Sequence, residues 1–299
     1  MNRLIIVAAA HQLNWIQDLH DVDPKLVVIW KSKKTPANLS CAKRLEDAVA
    51  DGGQTALFLT PQASLTADVA FCQERGVRVH SAGPIPDTGR RSPASTPKKG
   101  MLCGMPWRHD GLWKRLEKTR QRPAFGAPVF YRRVSGGGAS GLLSTWWALW
   151  QGLMESAQTL SSPVSHAKLN VTRRGPRRLW HASMQVHVEC GATAQIVVTP
   201  QPDADRADRL LVGTGGSIST DSTDTGLHLI DGDGGIQPLE ARTPLQEWVR
   251  ATINSSSALP DPQVSGWQQL SPWQQLTTSD SLLNAIRRAA RHRQTITLT

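Results

Sequence analysis

The chain has 299 residues and a mass of 32.6 kDa, room for one large domain or two ordinary ones of roughly 100–200 residues each. Hydrophobic residues make up 39% and charged residues 19%, a balance too apolar for a disordered chain, and no stretch reaches the roughly 18 uncharged apolar residues of a spanning helix. Lys and Arg number 34 against 24 Asp and Glu, a net charge of +10, which suits an anionic partner or a phosphate-bearing cofactor and says nothing of fold.

The N-terminal MNRLIIVAAAHQLNW has one Arg and a short apolar run. It reads as a first strand rather than a signal peptide, so a cytoplasmic location and no membrane association are expected. The apolar run over residues 3–10 suits a parallel strand covered on both faces. A short helix is expected over 11–20, with Leu13, Ile16 and Leu19 on one side. Asp23-Pro24 breaks it before a second strand, KLVVIW. A third strand is expected over 56–60, then Pro61 and a helix over 64–75 that Gly76 ends, then the strand VRVH. Strand and helix alternating at this spacing predict a doubly wound α/β unit.

Residues 85–100, rich in Pro, Ser, Gly and basic side chains, read as a linker or exposed loop. Beyond it a helix is expected over 110–119, then strand-like VFYRRV, a glycine run SGGGASG and a buried apolar helix LLSTWWALWQGLM. The runs SHAKLNVTR, WHASMQVHVEC, TAQIVVTP and DRLLVGT alternate with period two, the pattern of an antiparallel sheet with one solvated face. Helices over 244–253 and 280–290 and a short strand ITL complete the chain. The fold class expected is therefore α/β: a Rossmann-type parallel sheet over residues 1–100, then an α+β domain on an open, mainly antiparallel sheet over 101–299. The helix over 280–290 is expected to return to the first domain.

In this order the elements resemble the Gfo/Idh/MocA family of NAD(P)-dependent oxidoreductases, over nearly the whole chain. ALFLTPQASLTADVAFCQERGVRVHSAGP is similar to the family's strand ending in Thr-Pro, helix, Gly turn, strand and Glu-Lys-Pro. SGGGASGLLSTWWALW resembles its glycine run and Asp-x-x-x-His helix. LLVGTGGSIST resembles its Gly-Thr-x-Gly turn, and PLQEWVRATI and SLLNAIRRAARHRQTITL its closing helices and last strand.

The resemblance implies cofactor contacts at Ala8, Ala10, His11, Lys31, Ser32, Lys33, Thr60 and Pro61. The family's glycine turn after the first strand is replaced by Ala8, Ala9, Ala10, His11 and Gln12, whose Cβ atoms hold a pyrophosphate away from the backbone. Trp30 stands at the acidic ribose ligand, followed by Lys31, Ser32, Lys33 and Lys34. That run suits a 2′-phosphate, hence NADP, or is a solvated basic turn. The cofactor expected is none, or NADP.

The catalytic positions differ too. Ala82, Gly83 and Pro84 replace Glu-Lys-Pro, and Leu142 and Trp146 replace the Asp and His, so no aligned group titrates. No catalytic residue is assigned with any weight. The candidates are His80, a substitute acid or a packed histidine, and Arg108 and His109 at the start of the second domain. Trp146, Trp147 and Trp150 either fill the substrate cleft or pack their helix against the sheet.

Cys41, Cys72, Cys103 and Cys190 stand apart, with no CxxC pair and no zinc spacing, so no metal site is expected. The paired arginines are dispersed over different elements, which argues against a nucleic-acid partner. The reading reached is a degenerate, non-catalytic homologue serving as a binding or assembly subunit, in a homo- or hetero-oligomer through the C-terminal sheet. The alternative is an NADP-dependent reductase of an unusual imine- or tetrapyrrole-type substrate.

Overall fold

The computed structural model describes residues 3–8, 12, 16, 26–29, 40–61, 65–85, 101–103, 106, 111–136, 141–174, 179–201, 207–223, 226–230, 236–239, 244–254 and 280–298. Within it the apolar runs of the first hundred residues become strands. These are β1 (Arg3–Val7), β2 (Leu26–Ile29), β3 (Cys41–Ala42), β4 (Gly53–Phe58), β5 (Arg78–Ser81) and β6 (Met101–Cys103), with helices α1 (Leu45–Ala50) and α2 (Leu65–Glu74) between them. All pair in parallel, in the order β3-β2-β1-β4-β5-β6, the order of dinucleotide-binding Rossmann sheets. Burial runs through consecutive residues, Ile5 with Ile6 and Ala56 through Phe58 all at 0% exposure, as a sheet covered on both faces requires.

Two glycines have physical reasons. A Cβ on Gly53 would lie 2.4 Å from Ile5 Cδ1 and 2.9 Å from the Ala48 carbonyl oxygen, so glycine lets β4 start against β1 and α1. Gly76, at φ +71°, ends α2 as expected: its N–H donates to the Gln73 carbonyl at 3.2 Å and Val77 N–H to the Cys72 carbonyl at 2.9 Å. This double closure satisfies carbonyls that the helix end leaves open.

The second unit contains α3 (Gly111–Arg120), a 3-10 turn at Pro123–Phe125, β7 (Pro128–Ser135), α4 (Leu142–Leu160), and then β8 (Val164–Arg174), β9 (Leu179–Val188) and β10 (Thr193–Val198). It continues through β11 (Ala207–Gly213), β12 (Ser217–Thr223), β13 (Gly226–Ile230) and β14 (Ile236–Leu239). One nine-stranded sheet results, in the order β14-β13-β12-β11-β7-β10-β9-β8-β15, where β15 is Ile296–Leu298. Only β7 and β10 run parallel; every other pair is antiparallel. Strands β13 and β14 are additional to those the pattern predicts.

Alternation sorts the faces. Tyr131, Leu169, Met184, Ile196 and Leu211 are at 0% exposure on one face, and α4 packs there across β7, β9 and β10. A Cβ on Gly152 would lie 2.5 Å from Ile196 Cγ2, so this glycine sets how closely α4 approaches β10. Helix α6 (Asp280–His292) contacts β8 and α4, and its Leu282, Leu283, Ile286 and Ala289 are buried.

Chain contacts group Met1–Pro106 with Leu245–Val264, and Trp107–Pro244 with Ser265–Thr299. Helix 280–290, expected to return to the first domain, lies within the second of these groups. Helix α6 contacts β8 and α4, and α5 (Pro244–Asn254) groups with the first unit from Leu245 onward. The expected helix over 11–20 and loop over 85–100 lie almost wholly outside the described residues. Among the described residues no helix is long and apolar enough to cross a membrane.

Candidate functional site

In the strand order of the first unit, β1 and β4 are neighbours whose connections lead away in opposite directions, which opens a crevice at their carboxyl ends. Three of the expected cofactor contacts stand there. Ala8 follows β1, and Thr60 and Pro61 follow β4, all three half-buried. Val7 and Phe58 are register partners, and Leu59 N–H donates to the Val7 carbonyl at 3.0 Å, so the two strand ends leave the sheet side by side. Ala10, His11, Lys31, Ser32 and Lys33 lie outside the described residues, as do Arg108 and His109.

His80 sits inside β5 between Leu57 and Leu102, at 4% exposure. Burial, and secondarily the charge of Arg78, pull its imidazole down to about 4. At neutral pH the ring is therefore uncharged and holds no ionised proton to donate. After it, the Ser81 hydroxyl donates to the Gly83 carbonyl at 2.7 Å, folding Ala82–Pro84 into a buried turn. Gly83 occupies the position of the family's lysine and has no side chain to project.

In the second unit α4 begins at Gly141, whose φ of +102° no ordinary side chain favours. Thr145 N–H and Thr145 Oγ1 both bond the Gly141 carbonyl, at 3.1 and 2.9 Å. Leu142 is half-buried, while Trp146 and Trp150 are at 0% exposure and Trp147 at 5%. The three tryptophans are core residues of their unit. Trp146, aligned with the family's histidine, presents an indole that does not titrate.

A constellation the sequence reading missed lies toward the other end of α4. Glu155 is wholly buried and faces two buried arginines. Arg209 Nε on β11 donates to Glu155 Oε1 at 2.5 Å. Arg133 Nε on β7 stands 3.0 Å from Oε2, a charge contact whose N–H is not aimed at the oxygen. Arg133 Nη1 also donates to Ser135 Oγ at 3.0 Å and to the Ala148 carbonyl at 3.1 Å. Burial pushes the Tyr131 phenol well above its ordinary value, and the Glu155 carboxylate adds to this. The cluster fastens α4 to β7 and β11, and its burial keeps it from substrate. The signal was present, since Glu155 is the one charged residue in LLSTWWALWQGLMESAQTL.

Among the described residues no group of three or more His, Cys, Asp or Glu could hold a metal ion. No family model matches the sequence, and no curated protein matches it. Solved structures do. GenD2 from gentamicin A biosynthesis, solved with NAD, is 16% identical with a TM-score of 0.67, over 100% of this chain and 97% of that one. Myo-inositol 2-dehydrogenase from Lactobacillus plantarum is 11% identical with a TM-score of 0.66, over 100% and 99%. An oxidoreductase from Agrobacterium radiobacter, in complex with NAD+, L-tartaric acid and magnesium, is 14% identical with a TM-score of 0.61, over 99% and 98%. Over its whole length the chain has the fold of Gfo/Idh/MocA-type dehydrogenases.

Proposed function

We propose that the chain is a binding or assembly subunit built on a dehydrogenase frame and lacking that frame's chemistry. The observation that carries this is Trp146, at 0% exposure in the core of the second unit where the resemblance calls for a histidine. General acid–base work needs a titratable group within reach of the reacting atom. Gly83 and Leu142, at the lysine and aspartate positions, supply none either.

The face proposed for assembly, in a homo- or hetero-oligomer, is the one opposite α4 and α6 on the nine-stranded sheet. Phe130, Val134, Val197, Leu210 and Val212, all half-buried, alternate there with polar neighbours, an apolar patch on a face that solvated sheets keep polar. Nucleic acid is no part of this reading.

The second reading is an NADP-dependent reductase of an imine- or tetrapyrrole-type substrate, the proton coming from solvent or a non-standard donor. Its support is the strand order and the crevice beside Ala8, Thr60 and Pro61, together with neighbours solved with NAD or NAD+. Lys31, Ser32 and Lys33 would take the 2′-phosphate, and the bound nucleotide would supply hydride. Against a close fit, every residue from Ala8 to Gln12 carries a Cβ.

Titration of the full chain with NADPH and NADH, followed by tryptophan fluorescence and thermal shift, separates the two. No binding at millimolar nucleotide is expected. Saturable NADPH binding that Lys33→Ala weakens would overturn the non-catalytic reading as the leading one and open a substrate search among imines and tetrapyrroles.

A further inference from the structure

Arginine runs far apart in sequence meet at one corner of the second unit. Arg173 and Arg174 close β8, while Arg287, Arg288 and Arg291 stand on α6 and Arg293 just past its end. The register brings them together. Residues 293–295 join α6 to β15, Ile296 pairs with Leu169, and Thr295 Oγ1 donates to Asn170 Oδ1 at 2.6 Å. The helix therefore ends level with the last residues of β8. Arg173 follows Leu169 and Val171 at alternate positions of that strand; those two are buried and Arg173 is exposed. It thus lies on the helix-covered face, just beyond the end of α6, with its guanidinium carbon 5.8 Å from the centroid of the Trp180 ring.

The fold gives no reason for this much charge. Leu282, Leu283, Ile286 and Ala289 bury one side of α6, and Arg287, Arg288 and Arg291 form an exposed stripe on the other. Like charges at such spacings repel. The field of the helix favours a cation only in the last turn, which holds Arg291 but not Arg287 or Arg288. Arg287 Nη1 donates to Asn284 Oδ1 at 3.3 Å, and among the described residues none of Arg287, Arg288, Arg291 and Arg293 has a carboxylate partner. β8, β9 and β15 contain no acid, and α6 contains only Asp280, at its opposite end.

Arg293 adds an independent sign. It closes the helix, its N–H donating to the Ala289 carbonyl at 2.9 Å, with φ at +53°. Helix ends in this left-handed conformation favour glycine, so an arginine is held here at a conformational cost.

We propose that this arginine corner docks an acidic segment of a protein partner, a short run of Asp and Glu. A guanidinium takes a carboxylate through two parallel N–H bonds, and arginine clusters are a recurring means of holding acidic motifs. The extent of the patch decides the class of partner. Toward the start of α6 the exposed side chains are uncharged Ser281 and Asn284. What remains is Arg173, Arg287, Arg288, Arg291 and Arg293, fewer cations than the roughly six to ten phosphate contacts of a strongly held nucleic acid. Trp180 is 8% exposed and gives bases no surface to stack on, and the buried apolar side of α6 leaves nothing to enter a bilayer. The inference goes beyond the reading above and does not depend on the nucleotide crevice: saturable NADPH binding would displace that reading and leave this one standing.

Titration of a fluorescein-labelled oligoglutamate of about ten residues with the full chain at low salt tests it. Saturable binding that salt weakens is expected. R287Q/R288Q/R291Q/R293Q should weaken it about tenfold or more, whereas K43Q/K114Q/K118Q/R132Q, which removes as many exposed cations elsewhere, should change it by less than about threefold. R293G separates docking from folding: it should raise the melting temperature and still weaken the peptide, and it decides the matter even if the quadruple variant does not fold. Absence of saturable binding, equal losses in the two quadruple variants, or wild-type binding by R293G overturns the proposal. Tighter binding of oligothymidylate of equal charge, or of phosphatidylserine vesicles, through the same arginines also overturns it, in favour of a nucleic acid or a membrane.

Discussion

Glu155 on α4 and Arg209 on β11 meet at 2.5 Å where neither touches solvent, their side chains 0% and 2% exposed. With Arg133 approaching the second carboxylate oxygen at 3.0 Å, one acid from the helix joins two strands that are neighbours in the sheet. Removing one member of such a buried set leaves the others charged and unpaired, at a cost of about 3–5 kcal/mol. We expect Glu155→Gln to lose a stability of that order in urea unfolding. Replacing all three with apolar residues of similar volume should be milder than the single change. A single variant within about 0.5 kcal/mol of wild type, the range of ordinary surface changes, would show that the cluster is not a fastening.

Gly152 and Ile196 make a packing prediction. Because an added methyl would sit 2.5 Å from Ile196 Cγ2, Gly152→Ala should destabilise by about 1–3 kcal/mol despite alanine's better helix propensity. Ile196→Ala opens the space, so the double variant should be more stable than the sum of the single losses. Strict additivity in that cycle would refute the contact.

His80 gives stability a pH slope. Its folded-state value, about 4, lies below the unfolded value near 6.5, so the unfolded chain binds more protons between these values. Its contribution is complete above about pH 6.5 and is lost as pH falls toward about 4, up to about 3 kcal/mol in all. His80→Leu should flatten this part of the stability profile. An unchanged slope would place its cause elsewhere.

The thiols should separate by rate. Cys190 is exposed, and hydrogen bonds from the Ala192 backbone and the Ser162 side chain lower its pKa. Burial, with Asp68 adding to it, pushes the Cys72 thiol up to about 12. Among Cys41, Cys72 and Cys190, a thiol reagent at neutral pH should label Cys190 fastest, in a phase that Cys190→Ser removes, with Cys72 reacting only on unfolding. Fast labelling of Cys72 would contradict its packing.

Much of the fold was written in local pattern. The unbroken RLIIV run, Gly76 behind α2 and the period-two burial of β8 to β11 each follow from residues close in sequence. What pattern could not give was set by tertiary pairing. Nothing within SLLNAIRRAARH says that its apolar side meets β8 rather than the first sheet. Nothing local tells Arg133 from Arg132, yet strand parity buries the first beside Glu155 and exposes the second. His80 was visible only as a histidine near a strand end; that it is 4% exposed, in a strand with β4 on one side and β6 on the other, depends on the flanking strands.

β7 lies between β10 and β11, and so its two ladder partners are consecutive in sequence while β7 itself precedes them by some sixty residues or more, as Phe130 paired with Thr193 illustrates. The β8–β9–β10 meander can form from near neighbours, whereas the central strand has to close long loops before gaining either ladder. During refolding β7 should therefore be among the last strands to acquire hydrogen-exchange protection. Arg133 then reaches Glu155 at the same step, so completion of the sheet and neutralisation of a buried acid become a single late event.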